Sequence, residues 1–368
     1  MSGAQVTVGG DRFLGEAFYS RFSDRRIRYP HPKDDINGFI QCLMHHVAGQ
    51  KYDVLLPMCN YTTIALAAHR EEFSPYVRVP VPDYDSLFQT RDKLQTLEIA
   101  RQIGIETPLT YCVHESQELE AIAEKISYPC VIKPRQGAAG IGLMFPGSKE
   151  ALIRCYNSLP SKSDMVFVYD RPLVQEYVPG EVHDVCLLFN RGQARAALTQ
   201  KRLKMYPRRG GVGILNETTD EPVLRDQAIA LLEAMRWHGP AQVEFKIDPR
   251  DGTAKLMEVN GRFWGTLDLS IQAGMNFPLM ACKMAIDGDI DPGFEYKIGL
   301  RYRWAFPFGL LYAMETGGGW SSLREFFRFE PNSVSDFRPL DPLPTLAEIL
   351  YIARRVWWHR SIRPTRSG

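Results

Sequence analysis

Short apolar segments alternate with longer amphipathic segments over the first eighty residues of the chain. Helical periodicity around residues 35–49 and 61–72 predicts two helices, and glycines after the first apolar segment predict another that reaches Phe22. Four segments have the composition of strands: AQVTVGG, RIRYPHP, KYDVLLPMCN and YVRVPVP. Alternation of strands and helices over this length is typical of a small, open parallel sheet.

The next hundred residues begin with helical patterns and continue with two strand patterns. Residues 86–103 predict one long helix, with Ser86 as its N-cap and Gly104 as its stop, and SQELEAIAEKI predicts a second. YPCVIKPRQGAAGIGLMFP then predicts a buried strand, a loop with three glycines and a further strand. PLVQEYVPGE (172–181) predicts a strand whose acidic end could bind a nucleoside.

Two polar-apolar alternations near residue 250 predict a β-hairpin. GPAQVEFKID (239–248) and KLMEVNGRFWG (255–265) flank the turn-forming segment PRDGT. Pairing of these strands would set Glu244 beside Glu258, with Asn260 and Arg262 on the same face as Glu258. Carboxylate and amide oxygens are ligands that Mg²⁺ prefers, and a guanidinium group can bind a phosphoryl oxygen. A solvated sheet edge with a chance Glu–Arg pair is the alternative.

A lysine and a flexible loop form a second candidate site. Lys133 ends an apolar strand, and the loop RQGAAGIG (135–142) follows it directly. We call residues 135–142 the glycine loop, because its backbone N–H groups could fold over a polyphosphate that also binds the lysine. The P-loop pattern GxxxxGK[ST] is absent. An ordinary hairpin with a solvent-reaching lysine remains open, as does a solvent-facing position for Lys93 on its helix.

The order of these features resembles the ATP-grasp superfamily of carboxylate ligases. The features are a helix lysine, a strand lysine, the glycine loop, an acidic strand end and a hairpin with two carboxylates. The resemblance covers residues 1 to about 300. QKRLKMYPRRGGVGILNETT (200–219) is further similar to a subgroup of predicted ATP-dependent carboligases related to the carbamoyl-phosphate synthase large chain.

The resemblance implies an α/β fold of the α+β ATP-grasp type. It has an N-terminal parallel sheet, a lid subdomain with the glycine loop, and a C-terminal antiparallel sheet that carries the metal site. The implied divisions are a pre-grasp domain (1–84), connecting helices (85–127), the lid subdomain (128–178), a C-terminal subdomain (179–300) and an extension (301–368). Residues 295–368 could line an acceptor pocket or close the core, and their aromatic content favours the core.

The resemblance also implies roles for individual residues. ATP phosphates would be bound by Lys93, Lys133 and the loop glycines Gly137, Gly140 and Gly142. Adenine would be bound by Gln175, Glu176 and Val178, and ribose by Glu181. Mg²⁺ would be held by Glu244, Glu258 and Asn260. Arg262 would contact the reacting phosphoryl and acyl groups, and Lys201, Arg202 and 210–213 would lie near the phosphates. Arg208 and Arg209 could join this site or form a solvated basic loop.

The function implied is ATP-dependent ligation. A carboxylate is activated as an acyl phosphate and joined to an amine, ADP and phosphate are released, and one or two Mg²⁺ ions, with Mn²⁺ as a substitute, assist. A nucleotide-binding regulatory protein without ligase activity is the alternative. A Rossmann oxidoreductase fits less of the chain, because GGDRFLG lacks the GxGxxG spacing and no acidic residue closes the second strand.

Composition indicates which classes of binding partner are expected. The 44 basic and 43 acidic residues give a net charge of +1, which predicts small-molecule substrates rather than nucleic acid, and a homodimer is left open. No apolar run reaches the length of a membrane span. Seven cysteines without a CxxC pair predict reduced thiols in the cytoplasm. The basic, aromatic end RRVWWHRSIRPTRSG predicts an amphipathic helix in preference to a nucleic-acid or membrane tail.

Overall fold

The computed structural model of the chain describes residues 3–13, 15–137, 140–159, 163–168, 171–315, 324 and 331–362. Three sheets are formed by these residues: one of two strands, one of three and one of seven. The mixture of helices, a parallel sheet and a larger, mainly antiparallel sheet that was expected from the sequence is therefore confirmed.

The N-terminal part contains a short parallel sheet and three helices. β1 (Thr7–Gly10) pairs with β2 (Arg25–Arg28), and α1 (Ile36–Gly49), α2 (Asn60–Ala68) and α3 (Arg70–Phe73) follow. The expected third and fourth strands are reduced to one parallel bridge between Val54 and Arg78.

The predicted helix that reaches Phe22 is wrong. A 3₁₀ turn (Glu16–Tyr19) stands there and ends at Ser20, whose backbone is extended. The Ser20 hydroxyl donates to Asp341 Oδ2 at 2.6 Å, and Asp341 Oδ1 accepts from the Arg21 backbone N–H at 3.0 Å. These contacts with a residue more than three hundred positions away hold the chain in a conformation that the local pattern could not specify.

The single helix predicted over 86–103 is also wrong, since two helices occupy this stretch. α4 (Tyr84–Arg91) includes Ser86 in its interior, and α5 (Lys93–Gln102) follows after a break at Asp92. The Asp92 side chain caps α5 by accepting from the Leu94 backbone N–H at 3.1 Å. It also accepts from Arg135 Nε at 2.8 Å, which joins this break to the glycine loop.

The next group of elements along the chain has its own antiparallel sheet and core. Its elements are β3 (Thr110–Cys112), α6 (Ser116–Lys125), β4 (Cys130–Lys133), α7 (Lys149–Asn157) and β5 (Leu173–Glu176). β5 lies between β3 and β4, and Ile132, Leu152 and Val174 pack beneath them. The strand expected after the glycine loop is one antiparallel bridge between Ile132 and Met144.

The largest sheet of the described residues has seven strands. Its strands are β6 (Val182–Asn190), β7 (Gln193–Tyr206), β8 (Val212–Thr219), β9 (Gly239–Ile247), β10 (Ala254–Asn260), β11 (Arg301–Arg303) and β12 (Ser333–Ser335). Their order is β10-β9-β6-β7-β8-β11-β12, and all neighbours are antiparallel except β11 and β12. α8 (Pro222–Ala234) covers one face, whereas α9 (Leu267–Gln272) and α10 (Phe277–Asp287) cover the other.

The C-terminal extension packs against the N-terminal part of the chain. It contains an irregular helical turn (Ala305–Gly309), α11 (Leu310–Glu315) and α12 (Leu343–Ile362), and α12 packs against the 3₁₀ turn near the N-terminus. Within the part of the chain that the structure describes, no helix combines the length and apolarity that a membrane span requires.

Candidate active site

A cavity of about 600 Å³ lies between the seven-stranded sheet, the three-stranded sheet and the start of α2. Of the residues predicted to bind ATP, metal or substrate, those that line it are Lys93, Lys133, Gly137, Gly140, Gln175, Glu176, Val178, Arg202, Glu244, Glu258, Asn260 and Arg262. Three others are not among its lining residues: Gly142, Glu181 and Lys201. The fold thus brings predicted site residues that are far apart in the sequence, from Lys93 to Arg262, to one cavity.

Two carboxylates face each other on the predicted hairpin. Glu244 on β9 is the direct partner of Glu258 on β10, although a bulge between Leu256 and Glu258 shifts the register that strict alternation would give. Burial and the Glu258 charge raise the pKa of Glu244 to about 7 against the opposing effect of Arg202. Burial acts in the same direction on Glu258, but the Lys93 and Lys133 charges outweigh it and lower its pKa.

These two carboxylates and Asn260 bring oxygen atoms together at one side of the cavity. Asn260 Nδ2 donates to Glu258 Oε1 at 3.1 Å, and the amide oxygen of Asn260 accepts from Arg262 Nη2 at 3.3 Å. In the described ranges, no group of three or more His, Cys, Asp or Glu side chains could hold a metal ion by itself. The donor set fits a hard divalent cation that takes its remaining oxygens from water or from a phosphate.

Two lysines lie above the carboxylates. Lys93, the first residue of α5, places Nζ 3.5 Å from Glu258 Oε2. Lys133 is only 4% exposed, and among the described residues no carboxylate lies within 4.0 Å of its Nζ. Burial and the nearby Lys93 charge lower the pKa of Lys133 to about 7, although Glu258 and Glu244 oppose them. A buried ammonium group without an ion pair is costly, and an anion in the cavity would relieve that cost.

Arg262 is held in place by a residue from the N-terminal part. Its Nε donates to Asn60 Oδ1 at 2.9 Å, and its Nη1 donates to the Phe263 carbonyl at 2.8 Å. Asn60 is the first residue of α2. Sequence reasoning missed Asn60, because an asparagine at the start of a helix gives no sign that it contacts an arginine 202 positions away.

Arg202 on β7 bridges two acids of the sheet. Its Nε and Nη2 donate to Asp184 Oδ2 and Oδ1 at 2.9 and 2.6 Å, and Nη2 also donates to Glu244. Although burial opposes it, the two acids raise the pKa of Arg202 above its ordinary value. Asp184 was also missed, and a carboxylate inside the apolar run VHDVCLLF was the available signal.

The predicted nucleoside-binding residues Gln175, Glu176 and Val178 lie at the end of the cavity beside β5. The Gln175 side chain donates to Thr110 Oγ1 at 2.7 Å, and the Glu176 carboxylate accepts from Lys255 Nζ at 2.8 Å. The Val178 carbonyl accepts from Lys246 Nζ at 2.8 Å. The side chains of Gln175 and Glu176 therefore already form hydrogen bonds within the protein.

The two charged residues outside the cavity have neighbours of their own. The Glu181 side chain is 65% exposed, and its carboxylate lies 3.9 Å from His183 Nε2. Lys201 alternates with Arg202 along β7, and its Nζ lies 3.9 Å from Glu217 Oε1.

The glycine loop is described except for residues 138 and 139. Gly140 has a φ of 68°, and a Cβ there would lie 1.8 Å from the Gly210 carbonyl oxygen, so this contact requires glycine. Arg208 and Arg209 both line the cavity, and the Arg209 guanidinium lies 6.0 Å from the ring centres of Phe145 and Tyr177. The loop and the basic segment therefore meet over the same cavity.

Comparisons with known proteins identify the fold. A model of the RimK-like ATP-grasp domain matches residues 90–230, and a model described as ATP-grasp in the biosynthetic pathway with Ter operon matches residues 169–305. A biotin carboxylase structure from Campylobacter jejuni has a TM-score of 0.67 at 15% identity, covering 81% of this chain and 69% of that one. An L-amino acid ligase from Bacillus licheniformis has a TM-score of 0.57 at 17% identity, covering 74% and 67%.

Among curated proteins, D-aspartate ligase from Enterococcus faecium is 24% identical over 216 residues. The match covers 54% of this chain and 50% of the relative, so the chain spans half the length of that protein. These likenesses confirm the fold class expected from the sequence.

Proposed function

Because the chain is an ATP-grasp protein, we propose that it is an ATP-dependent ligase that activates a carboxylate as an acyl phosphate and joins it to an amine. The observation that carries this proposal is Lys133. No carboxylate of the described residues lies within 4.0 Å of its buried ammonium group, which lies in the same cavity as Glu244, Glu258 and Arg262. The ATP phosphates would meet the charge of Lys133, Mg²⁺ would meet the two glutamates, and the transferring phosphoryl group would meet Arg262.

ATP would lie with its phosphates between the lysines and the glycine loop. Lys93 and Lys133 would neutralise the phosphates, while Gly137 and Gly140 would exclude water above them. The adenine would lie toward Gln175, Glu176 and Val178. Since the Glu176 side chain is occupied by Lys255, we propose that backbone groups, not this carboxylate, recognise the base.

Mg²⁺ would be held by Glu244, Glu258 and Asn260. When bound, it would neutralise charge on the phosphates during transfer. Glu244 would have to release part of its contact with Arg202 to become a full ligand, and Arg202 could then turn toward a phosphate oxygen.

The reaction requires no nucleophilic side chain from the protein. A carboxylate oxygen of the substrate attacks the γ-phosphorus, and the bond to ADP breaks with its electron pair remaining on ADP. The amine nitrogen then attacks the acyl carbon, phosphate departs, and the amine proton passes to solvent or phosphate. Arg262, oriented by Asn60, would stabilise charge on the phosphoryl and acyl oxygens.

An amine as acceptor is supported by the relatives, among which are an enzyme named D-aspartate ligase and one named L-amino acid ligase. The cytoplasmic location and the homodimer expected from the sequence stay predictions. Seven free cysteines are compatible with that location.

The test is acid-dependent ADP release with hydroxylamine as a general amine. Hydroxylamine captures an acyl phosphate as a hydroxamate, which gives a product that ATP hydrolysis alone cannot form. We expect hydroxamate and ADP in equal amounts with at least one acid, and loss of both in Arg262→Met. Tight binding of ATP without ADP release from any acid would instead favour the regulatory protein.

A further inference from the structure

The break between α4 and α5 lies directly beside a candidate phosphate ligand. Asp92 forms this break and caps α5, and Lys93 is the first residue of that helix. Backbone N–H groups at the start of a helix have no partner within the helix. Here the Lys93 N–H donates to the Arg135 carbonyl at 3.1 Å, and the Leu94 N–H donates to Asp92 Oδ1 at 3.1 Å. The start of α5 is therefore attached to the main chain of the glycine loop.

The Asp92 carboxylate makes a second attachment, to the side chain of the same loop residue. Asp92 is 2% exposed, and its Oδ1 and Oδ2 accept from Arg135 Nε at 2.9 and 2.8 Å. Arg135 Nη2 lies 2.7 Å from Oδ2, and Gln95 Nε2 donates to Oδ2 at 3.0 Å. Pairing of two guanidinium nitrogens with a buried carboxylate fixes the orientation of both groups.

Arg135 stands between two residues that line the cavity. Lys133 precedes it by two positions and Gly137 follows it by two, and both line the cavity, as Lys93 does. Asp92 and Arg135 are not themselves among the described residues that line it. A change in the Asp92–Arg135 pair would thus shift candidate phosphate ligands on two elements without touching the nucleotide.

We propose that Asp92 is a positioning residue for the nucleotide phosphates, because it fixes the distance between Lys93 and the glycine loop. This inference rests on the proposed ligase function, in which both elements contact those phosphates. A misplacement of about 1 Å that originates outside the reacting groups is enough to cost a large part of their effect. Lys93 Nζ also lies 3.5 Å from Glu258 Oε2, so the same attachment sets the position of the lysine beside a candidate metal ligand.

A helix cap without a positioning role is the alternative, and it predicts different results for two variants. Asp92→Asn keeps a side-chain oxygen for the Leu94 N–H but loses the charge that holds Arg135. Arg135→Lys leaves the cap untouched and keeps a positive charge beside Asp92, but it loses the planar group with several donating nitrogens. If Asp92 only caps α5, neither variant should change nucleotide binding.

The first experiment is calorimetry with β,γ-imido-ATP and Mg²⁺, and with adenosine as a ligand that lacks phosphates. We expect Asp92→Asn and Arg135→Lys each to raise the dissociation constant for β,γ-imido-ATP about tenfold, and that for adenosine less than about twofold. Asp289→Asn is the matched control, because Asp289 also pairs with an arginine, Arg195, and neither lines the cavity. Unchanged affinity for β,γ-imido-ATP in both variants, or equal weakening of both ligands, would overturn the inference.

The double variant, Asp92→Asn with Arg135→Lys, assigns the effect to the pair. If the two side chains act through their contact, the double variant should bind β,γ-imido-ATP no more than about twofold more weakly than either single variant. Losses that multiply would show that the two side chains act independently and would contradict the proposal.

Amide hydrogen exchange at Lys93 gives a second measure that requires no nucleotide. The Lys93 N–H should exchange faster in Asp92→Asn and in Arg135→Lys than in wild type or Asp289→Asn, because its acceptor is the Arg135 carbonyl. If Asp92→Asn does not fold, Arg135→Lys carries the test through affinity and exchange. Exchange at Lys93 that stays at the wild-type rate in Arg135→Lys would refute the attachment.

Hydroxamate formation separates this inference from the ligase proposal. Weaker binding of β,γ-imido-ATP by the variants, without hydroxamate from any acid in wild type, would leave the positioning role standing and refute the ligase. Hydroxamate formation by wild type, with the same kcat and the same KM for ATP in Asp92→Asn and Arg135→Lys, would leave the ligase standing and refute the positioning role. Failure of the wild-type protein to bind β,γ-imido-ATP would refute both.

Discussion

Replacement of Lys133 by methionine should weaken nucleotide binding without unfolding the protein. The side chain lies at the end of β4, is 4% exposed and forms no ion pair with any residue that the structure describes, so methionine can fill its volume without leaving one of those acids unpaired. A charge-assisted contact with a phosphate in a shielded site contributes about 1.5 to 3 kcal/mol. We therefore expect the dissociation constant for a non-hydrolysable ATP analogue to rise by roughly ten- to a hundredfold.

The pH dependence of binding gives a sharper form of the same prediction. In the free protein the pKa of Lys133 is lowered to about 7 from 10.5, and a phosphate beside the ammonium group would raise it again. Binding above pH 7 then requires proton uptake, so affinity must fall as pH rises. If the pKa returned fully to its ordinary value, the dissociation constant would increase about fivefold from pH 7 to 8 and roughly fiftyfold from pH 7 to 9.

Calorimetry in buffers of different ionisation enthalpy measures this proton uptake directly. At pH 8 the wild-type protein should take up nearly one more proton per nucleotide than Lys133→Met, and the comparison removes the titration of the nucleotide and of Glu244. Lys125→Met, on the exposed side of α6, is the control and should behave as wild type. Equal proton uptake in wild type and Lys133→Met would refute the reasoning, and so would an unchanged affinity.

Three further variants test the other parts of the site. Glu258→Gln should abolish Mg²⁺-dependent ADP release and leave the circular dichroism spectrum unchanged, because the amide keeps the shape but loses the charge that a divalent cation requires; activity within a few-fold of wild type would contradict the metal assignment. Arg262→Lys should keep ATP affinity and lower kcat by roughly a hundredfold, since lysine lacks the planar guanidinium whose Nε contacts Asn60 while its other nitrogens face the acyl group; wild-type turnover would reduce Arg262 to a structural role. Gly140→Ala should separate the glycine loop from Gly210, because the added Cβ would lie 1.8 Å from the Gly210 carbonyl oxygen. Amide hydrogen exchange over residues 140–144 should then become faster. An unchanged exchange rate would show that the contact with Gly210 does not hold the loop in place.

The parts of the fold that the sequence predicted best are those specified by neighbours in the chain. The β9–β10 hairpin follows from alternation and from the turn residues between its strands, and it places Glu244 opposite Glu258 as expected. The break at Asp92 also had a local signal, because aspartate followed by a helix former is a common N-cap. That signal was outweighed by a continuous helical pattern on both sides.

The errors and omissions share a different origin. Ser20 is held by Asp341, Arg262 by Asn60, and Arg202 by Asp184, and each pair joins residues that no local pattern connects. Periodicity specifies which face of an element a side chain occupies, but the partner on that face depends on how elements pack. A single sequence therefore indicates candidate residues more readily than their contacts.

Trp304 illustrates the same limit for an aromatic residue that lines the cavity. Its aromatic character favoured a place in the core, and part of its environment is indeed core-like, since Phe308 and the Ala305–Asp336 contact hold it rigidly. The same rigidity makes its remaining surface a fixed boundary of the cavity beside Gly265. Candidate phosphate and metal ligands carry particular charges and can be suggested by pattern, whereas a tryptophan that lines a cavity has the same chemistry as one inside the core. Only the position of Trp304 in the fold separates these two environments, and that position is set by the packing of β8 and β11 and by Asp336 after β12.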